Sequence, residues 1–517
     1  MSMPKPTIDN LKVAWKRIDF DRPDKIFVVH PYIRQWIDND LDNWLEVLSK
    51  SIDDGYTPNA STPCPAPKPG FLIRPGSVLD IEDEVVFTYL VGQLFEGIHA
   101  RLIEHQGNPD IAHALSDSHD TEAWIKSDWR VWAKWREDSV GAINSAAFAL
   151  TTDIVGYYDN IELSILASDL RLACGNDPHI ELLMQCLNRW SQPRGRGIPQ
   201  GYAASHILAK LYLLSLDSYL IDNRYQHLRY VDDIRVFCSS SIDAQRAIID
   251  IGKFLSKRGL NLQSAKTKIL NKEDALLDFD GVSTVIEDIQ GKLKEELKAA
   301  ISSTASAVSE FVLLQALENS ANPPTELLEK AFNDHIINGN FDKTLFHYLL
   351  TRLGKAKSPI AVNYCIDSLS IKPDETGPIL RYLSSIELSD DQYSNIANYF
   401  QSDSCIYDYQ KYQLMKWSCD LSNIHSSLLA IARQWAFDGS LPEYVRSFSI
   451  AVLGNAAIDH DLEVIEAQYD MQLSDISKAD CAFACRSQEK SRRNTFYAKA
   501  INDGYVIQRA IETAKAI

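Results

Sequence analysis

The sequence predicts an α+β core followed by a region built only of helices. Before about residue 280, short apolar and β-branched runs alternate with segments of helical periodicity. After that point apolar residues recur at helical spacing in segments of roughly 12–18 residues, and strand-like alternation is scarce. The charged, alanine-rich stretch 287–308 is the first of these helices. We therefore predict two domains, residues 1–280 and 281–517, with the second arranged as HEAT-like helix pairs.

Composition limits the kind of protein this can be. With 45% hydrophobic residues the chain can bury large cores, which excludes a disordered protein. The nine cysteines form no paired CxxC motif, which argues against zinc and favours free thiols in a reducing compartment. No apolar run has membrane-spanning length, and no signal segment opens the chain. We expect a cytoplasmic protein without membrane contact.

The most informative stretch runs from Arg229 to Phe237. Two adjacent acids, Asp232 and Asp233, lie between two runs of β-branched and aromatic residues. This pattern predicts a β-hairpin with the acidic pair at its turn. Most adjacent aspartates are solvated turn residues, but here both flanks are apolar, so the carboxylates are held close together. Like charges at that distance repel unless a cation lies between them, and Mg²⁺ prefers carboxylate and phosphate oxygens.

Three further segments accompany this hairpin in a fixed order. Asp153 follows the apolar run 146–150, as an acid at the end of a strand would. A glycine- and proline-containing loop, 197–201, then leads into a predicted helix over 207–219. After the hairpin, a short apolar stretch precedes Lys266.

Together these segments resemble motifs A, B, C and D of reverse transcriptases. The matching residues are Asp153 with Tyr157-Tyr158, Pro199-Gln200-Gly201 with Ser205, Tyr230-Val231-Asp232-Asp233, and Leu260-Asn261-Leu262 with Lys266-Thr267. Chance explains one such match easily and the ordered set hardly at all. The likeness covers roughly residues 60–275 and implies a polymerase core of fingers and palm.

The resemblance implies a role for each matched residue. Asp153, Asp232 and Asp233 would hold two Mg²⁺ ions, with Mn²⁺ as the alternative, for two-metal nucleotide addition. Tyr158 would act as a steric gate against a 2′-OH, and Gln200 and Gly201 would contact the incoming dNTP. Lys266 would lie near the triphosphate. In structural terms alone, Tyr158 could be a packed palm aromatic and Lys266 a surface cation with a buried stem.

A candidate fingers segment lies at 67–75. It resembles the part of the family's fingers in which an arginine grips the triphosphate, which would be Arg74 here. A surface ion pair between Arg74 and the acids that follow it is the competing interpretation.

The charge is unusual for an enzyme that handles nucleic acid. The formal net charge is −18 at pH 7, and it divides equally between residues 1–280 and 281–517. The sequence therefore has no basic domain that would hold a long duplex by bulk electrostatics. Short basic clusters, such as 253–258 and 486–493, favour a narrow path for a single strand.

The domain arrangement narrows the family resemblance further. The sequence after the core does not have the spaced acids of a retroviral nuclease domain, and its acidic charge differs from the basic maturase region of group II intron enzymes. A reverse-transcriptase core followed by a long helical region resembles the bacterial abortive-infection and defence-associated (Abi and DRT) group. Members of that group are polymerases in phage defence. Several make DNA without an added template from a tyrosine of the protein, others copy a dedicated non-coding RNA, and they tend to form trimers or hexamers.

Three interpretations stay open on the sequence. The first is a defence polymerase that makes single-stranded DNA, covalently attached to itself, as a homo-oligomer. The second is an RNA-templated reverse transcriptase that uses a non-coding RNA. The third is a catalytically inactive palm that serves as an assembly scaffold. The priming tyrosine is not identified. Candidates for an exposed hydroxyl are Tyr56, Tyr407, Tyr409 and Tyr412.

Overall fold

The computed structural model describes residues 4–25, 27–103, 109–116, 124–126, 130–191, 195–301, 325–339 and 341–517. The chain divides into two compact units. The first unit comprises 1–27, 42–64 and 75–281, and the second comprises 28–41, 65–74 and 282–517. Two short N-terminal segments thus belong to the second unit, which a single boundary at residue 280 does not anticipate. None of the described helices combines the length and apolarity needed to cross a bilayer.

Helices and strands alternate in the part of the chain that ends at residue 301. The elements are α1 (Ile8–Lys25), α2 (Ile33–Asp38), α3 (Leu41–Asp53), β1 (Thr62–Lys68), β2 (Leu72–Val78), α4 (Ile81–Ile103), β3 (Ala114–Leu115), β4 (Ile125–Lys126), α5 (Arg130–Asn144), β5 (Phe148–Thr152), α6 (Leu163–Cys174), α7 (His179–Trp190), α8 (Ala203–Asp222), β6 (Gln226–Tyr230), β7 (Asp233–Cys238), α9 (Ser241–Lys257), β8 (Lys268–Asn271) and α10 (Lys272–Ile301).

A four-stranded antiparallel sheet organises the first unit. Its strand order is β6-β7-β5-β8. Tyr230 pairs with Asp233, which leaves Val231 and Asp232 as a two-residue turn and confirms the predicted acidic hairpin. One face of the sheet contributes Ala149 and Phe237 to a core cluster with Phe279 of α10. Ala149 and Phe237 lie opposite each other on β5 and β7, so burial of this face fixes the strand register, and with it the position of the turn acids.

Helix α8 is buried along nearly its whole length. It extends the predicted helix 207–219 by four residues at its start and three at its end. Its leucines and alanines are buried on all sides, as expected for a helix inside a large core. Because α8 begins directly after the glycine-containing loop, its packing positions that loop.

From residue 325 onward every described element is helical. These are α11 (Thr325–Phe332), α12 (Lys343–Lys355), α13 (Val362–Ile371), α14 (Thr376–Leu383), α15 (Asp390–Gln401), α16 (Asp408–Cys419), α17 (Ser426–Trp435), α18 (Glu443–Ala456), α19 (Asp459–Gln468), α20 (Asp475–Ala484), α21 (Lys490–Ala500) and α22 (Tyr505–Ala516), with short single turns between some of them. The all-α prediction is confirmed. The helix predicted over 287–308 lies within α10 up to Ile301, and its last residues lie outside the described part.

The helices of the second unit pack in two layers. Helix α12 packs on α14, α14 on α16, and this alternate pairing continues through α18 and α20 to α22. The intervening helices α13, α15 and α17 contact one another in the same way. Alternate packing of this kind is typical of helix-pair repeats.

Candidate active site

Three carboxylates meet at one end of the four-stranded sheet. Asp153 follows β5, Asp232 occupies the turn between β6 and β7, and Asp233 begins β7. Strands β5 and β7 are direct neighbours, with Thr152 opposite Ile234, which brings their acidic ends together. The charge of Asp153 acts on both Asp232 and Asp233. The structure therefore gathers all three predicted acids.

The carboxylates perturb one another strongly. Burial first, and then the charges of Asp153 and Asp233, raise the pKa of Asp232 to about 7. Burial and the charge of Asp153 also raise the pKa of Asp233. Lys266 donates a hydrogen bond to Asp153 Oδ2. Partial burial would lower the pKa of Lys266, but this bond and the three carboxylates raise it instead. The site has a deficit of positive charge that one lysine only partly offsets.

The carboxylates of this site are of the type that binds a divalent cation, although the described side chains do not converge on one point. Oδ1 of Asp153 is buried without a hydrogen-bond partner, and a buried carboxylate oxygen in that state is expected to take a ligand. Among the described residues, no three His, Cys, Asp or Glu side chains converge at metal-binding distances, and Lys266 occupies the second oxygen of Asp153. Hard cations such as Mg²⁺ prefer oxygen ligands of this type. Asp153, Asp232 and Asp233 are the residues that would hold such an ion, which when bound would neutralise charge on phosphate oxygens.

The two tyrosines after Asp153 lie in a turn. A strand continuing through Tyr157 and Tyr158 would point their rings to opposite faces. That prediction is wrong, because β5 ends at Thr152 and residues 158–160 form a single 3₁₀ turn. Tyr157 is buried, and its hydroxyl donates to Ala209 O. The Tyr158 hydroxyl lies 2.6 Å from His206 Nδ1. Each ring is therefore fixed against α8 by its own partner.

Sequence reasoning missed His206. Its ring stacks on His113 with centroids 4.0 Å apart and an interplanar angle of 7°. A ring held on one face and hydrogen-bonded at its edge gives Tyr158 a fixed orientation. The neighbouring Ser205 matched a motif, and His206 follows it directly, but no local pattern pairs it with Tyr158.

The gate role of Tyr158 gives the first prediction. Tyr158→Ala should admit ribonucleotides by removing the ring that would meet a 2′-OH. Shape discrimination of this kind is worth about 1–3 kcal/mol, so the dNTP-to-rNTP preference should fall by about 10- to 200-fold. The measurement is the ratio of kcat/KM for the two nucleotides. Tyr158→Phe keeps the ring, removes the hydroxyl that bonds to His206, and is the control. An unchanged ratio in Tyr158→Ala would leave the ring a packing role.

The glycine-containing loop lies against the Tyr158 turn. Gly197 N–H donates to Ile161 O at 2.8 Å, and Ile198 N–H donates to Tyr158 O at 3.0 Å. Gly201 has φ of +93°, a conformation that favours glycine. Gln200 Nε2 donates to Asp159 Oδ1 at 3.2 Å. The predicted nucleotide-contacting residues Gln200 and Gly201 thus lie beside the turn that bears Tyr158.

Arg74 belongs to a different unit from the other predicted site residues. It lies in β2, it is exposed, and the segment 65–74 belongs to the second unit. Its grip on the triphosphate stays a prediction.

Residues 93–285 match the family described as reverse transcriptase (RNA-dependent DNA polymerase). The chain carries a reverse transcriptase domain. All four sequence motifs lie inside the match, which confirms the resemblance drawn from them and makes the chain a nucleotidyltransferase of this type. The α+β polymerase core with a large helical region after it is likewise confirmed.

Solved telomerases resemble the chain only distantly. Telomerase from Candida albicans in complex with a TWJ fragment of telomeric RNA is 14% identical, with 76% of this chain and 69% of that chain covered and a TM-score of 0.32. The corresponding complex from Candida tropicalis is 12% identical over 69% and 68% of the two chains, with a TM-score of 0.32. Apo telomerase from Candida tropicalis is 11% identical over 89% and 68%, with the same TM-score. No curated protein matched the sequence.

Proposed function

We propose that this reverse transcriptase is a DNA polymerase of antiphage defence that makes single-stranded DNA from dNTPs. The observation that carries the polymerase chemistry is the meeting of Asp153, Asp232 and Asp233 at the end of the palm sheet. Three mutually repelling carboxylates, of which Asp153 is buried and the other two are partly buried, are costly unless they hold cations. Phosphoryl transfer requires positioning and charge neutralisation above all. Mg²⁺ is the proposed ion, with Mn²⁺ as the alternative.

The surrounding residues have separate tasks in this proposal. Tyr158 meets the sugar, and Gln200 and Gly201 contact the nucleotide from the loop. Lys266 has a side chain that is 61% exposed, so its amine can exchange Asp153 for an incoming triphosphate. Arg74 contributes a further phosphate contact, as in the resembling family.

We also propose that synthesis starts on a tyrosine of the protein and needs no added template. The support is the net charge of −18, which provides no broad positive surface for a long duplex. The structure narrows the candidate tyrosines. Tyr56 is buried and donates to Asp83 Oδ1, so the expectation of an exposed hydroxyl there is wrong. Tyr407 and Tyr412 are buried as well, which leaves the half-buried Tyr409 of the four.

Templated synthesis is the second candidate function. The matched family is described as RNA-dependent, which favours copying of an RNA, for instance a dedicated non-coding RNA. The scaffold interpretation is set aside, because the chain carries an enzyme domain with all three acids in place. Assembly as a trimer or hexamer in the cytoplasm belongs to the defence proposal, and light scattering on the full chain measures it.

The second prediction tests priming. Purified protein given labelled dNTPs and Mg²⁺, without primer or template, should build DNA that migrates with the protein on a denaturing gel. The signal should vanish with DNase, shift with protease, and be absent from Asp232→Asn. Tyr409→Phe keeps the ring and removes the hydroxyl, so it should lose the label if Tyr409 is the primer. Label that appears only when RNA is added, on a product free of protein, would establish templated synthesis instead.

A further inference from the structure

The turn that carries Asp232 contains a residue in an unfavourable conformation. Val231 precedes Asp232 and has φ of +58°. A β-branched L-residue rarely adopts this left-handed conformation, because its side chain crowds the backbone. Such a conformation persists only where the surrounding structure holds it. The placement of the acids therefore depends on what holds Val231.

Arg229 makes the contact that holds this turn. Its Nη1 donates to Val231 O at 2.6 Å. Its Nε and Nη2 donate to the two carboxylate oxygens of Asp217 on α8, at 3.0 and 2.6 Å. The side chains of Arg229 and Asp217 are each 1% exposed. Because a bidentate pair fixes the plane of a guanidinium, helix α8 sets the direction of the bond to Val231.

The ion pair of Arg229 and Asp217 belongs to a larger group of buried charged side chains. Arg229 also lies 3.2 Å from Asp110 Oδ2, and Asp110 pairs with Lys210 Nζ at 2.9 Å. Two carboxylates thus face one guanidinium and one amine, so each buried acid has a basic partner. Burial would raise the pKa of Asp217, but Arg229 and His227 outweigh it and lower the value to about 2. The pair of Arg229 and Asp217 therefore stays ionised near neutral pH.

The backbone around Arg229 is fixed independently. Its N–H donates to Pro109 O at 2.8 Å, and its carbonyl accepts from Ile111 N–H at 3.0 Å. Strand β6 thus has a neighbour on each side at this residue. The side chain is not needed to place the strand, and its bond to Val231 is the contact directed at the catalytic turn.

We propose that Arg229 is a positioning residue, which together with Asp217 fixes the turn that presents Asp232 and Asp233 to the reacting nucleotide. This inference rests on the proposed function, since the turn matters only if those acids bind a divalent cation. The competing view is that the ion pair only joins β6 to α8. Loss of the Val231 contact alone should impair metal binding in the first view and leave it unchanged in the second.

Two variants separate these views. Arg229→Lys keeps the charge and can pair with Asp217, but one ammonium cannot reproduce the fork that also reaches Val231. His227→Gln is the matched control. His227 lies on the same strand, is equally buried, and has Nε2 at 3.3 Å from the same carboxylate, while its other ring nitrogen faces Tyr225 O. Both substitutions change a side chain that contacts Asp217, but only Arg229→Lys removes the hydrogen bond to Val231 O.

The decisive readout is Mn²⁺ binding without turnover, measured by electron paramagnetic resonance, together with kcat and KM for a dNTP. Arg229→Lys should weaken Mn²⁺ binding and lower kcat by about 10- to 100-fold each, the range typical of residues that orient metal ligands. KM should change by less than about threefold, since nucleotide binding itself is not removed. His227→Gln should stay within about threefold of wild type in all three quantities.

Each other result has a defined meaning. Wild-type Mn²⁺ affinity and kcat in Arg229→Lys would overturn the proposal, and so would equal losses in both variants. Mn²⁺ binding that is the same in wild type and Asp232→Asn would instead show that the metal assignment itself fails. If Arg229→Lys does not fold, the double variant Arg229→Lys with Val231→Gly is tested for folding. Glycine adopts positive φ without a supporting contact, so the turn of this variant no longer depends on Arg229. A double variant that also fails to fold makes Arg229 a structural residue and overturns the proposal.

Discussion

Asparagine in place of both Asp232 and Asp233 is expected to abolish nucleotide addition while the protein stays folded. Asparagine has almost the same shape as aspartate but carries no charge to hold a divalent cation. Metal ions supply several kcal/mol of charge stabilisation in phosphoryl transfer, so kcat should fall by on the order of 1,000-fold or more. The measurement is single-nucleotide incorporation under saturating dNTP.

The melting temperature of the double variant should not fall together with its activity. Burial and neighbouring carboxylates raise the pKa of both Asp232 and Asp233, which means that their ionised forms are unfavourable in the folded protein. Without divalent cations, the double variant should melt at the same temperature as wild type or higher. Asp222→Asn, at the exposed end of α8, is the matched control and should change neither quantity. Near-wild-type incorporation by the folded double variant would show that these acids do not hold the catalytic metal.

The parts of this site that the sequence could predict are local. The hairpin of Asp232 and Asp233, the acid after β5 and the glycine-containing loop each depend on residues adjacent in the chain. Turn chemistry and strand alternation act over that range, so the pattern and the structure agree. The ordered set of four motifs then indicates the family.

The contacts that orient the site are not local, and the sequence did not reveal them. Lys266 reaches Asp153 across 113 residues, and Tyr158 meets His206 across 48. Nothing near these residues in the chain identifies their partners. The first contact follows from the pairing of β5 with β8, in which Thr151 lies opposite Lys268, and the second from the position of α8, which bears His206. The prediction of an exposed Tyr56 hydroxyl fails for the same reason. Its polar neighbours predicted exposure, but tertiary packing places its hydroxyl on Asp83 of α4.

The domain boundary illustrates the same limit on a larger scale. Composition changes near residue 280, which predicts a single division of the chain at that point. The segment 28–41 nevertheless belongs to the helical unit. Within that unit the ring of Trp36 lies 5.6 Å from that of Phe483, and Asp40 Oδ2 accepts from Arg509 Nη1 at 2.7 Å. These partners lie more than 400 residues away in sequence, beyond the reach of any periodicity.

Trp36→Ala is therefore expected to destabilise the helical unit severely. Trp36 is 0% exposed, and it packs against His30 as well as Phe483. Truncation of a fully buried tryptophan costs about 3–5 kcal/mol, because contacts are lost and a cavity remains. Native domains are stable by only about 5–15 kcal/mol, so much of the margin should disappear. Thermal unfolding followed by circular dichroism should show a clear fall in melting temperature, since this unit consists largely of helices.

Trp132→Ala is the matched control for that experiment. It makes the same chemical change at a tryptophan that is 40% exposed on α5, and it should cost less than about 1 kcal/mol. A fragment that begins at residue 281 lacks Trp36 altogether, so it should be at least as unstable as Trp36→Ala in the full chain. Equal melting temperatures for Trp36→Ala and Trp132→Ala would mean that residues 28–41 only lie on the helical unit. A large difference would make them an integral part of it, contributed by the far end of the chain.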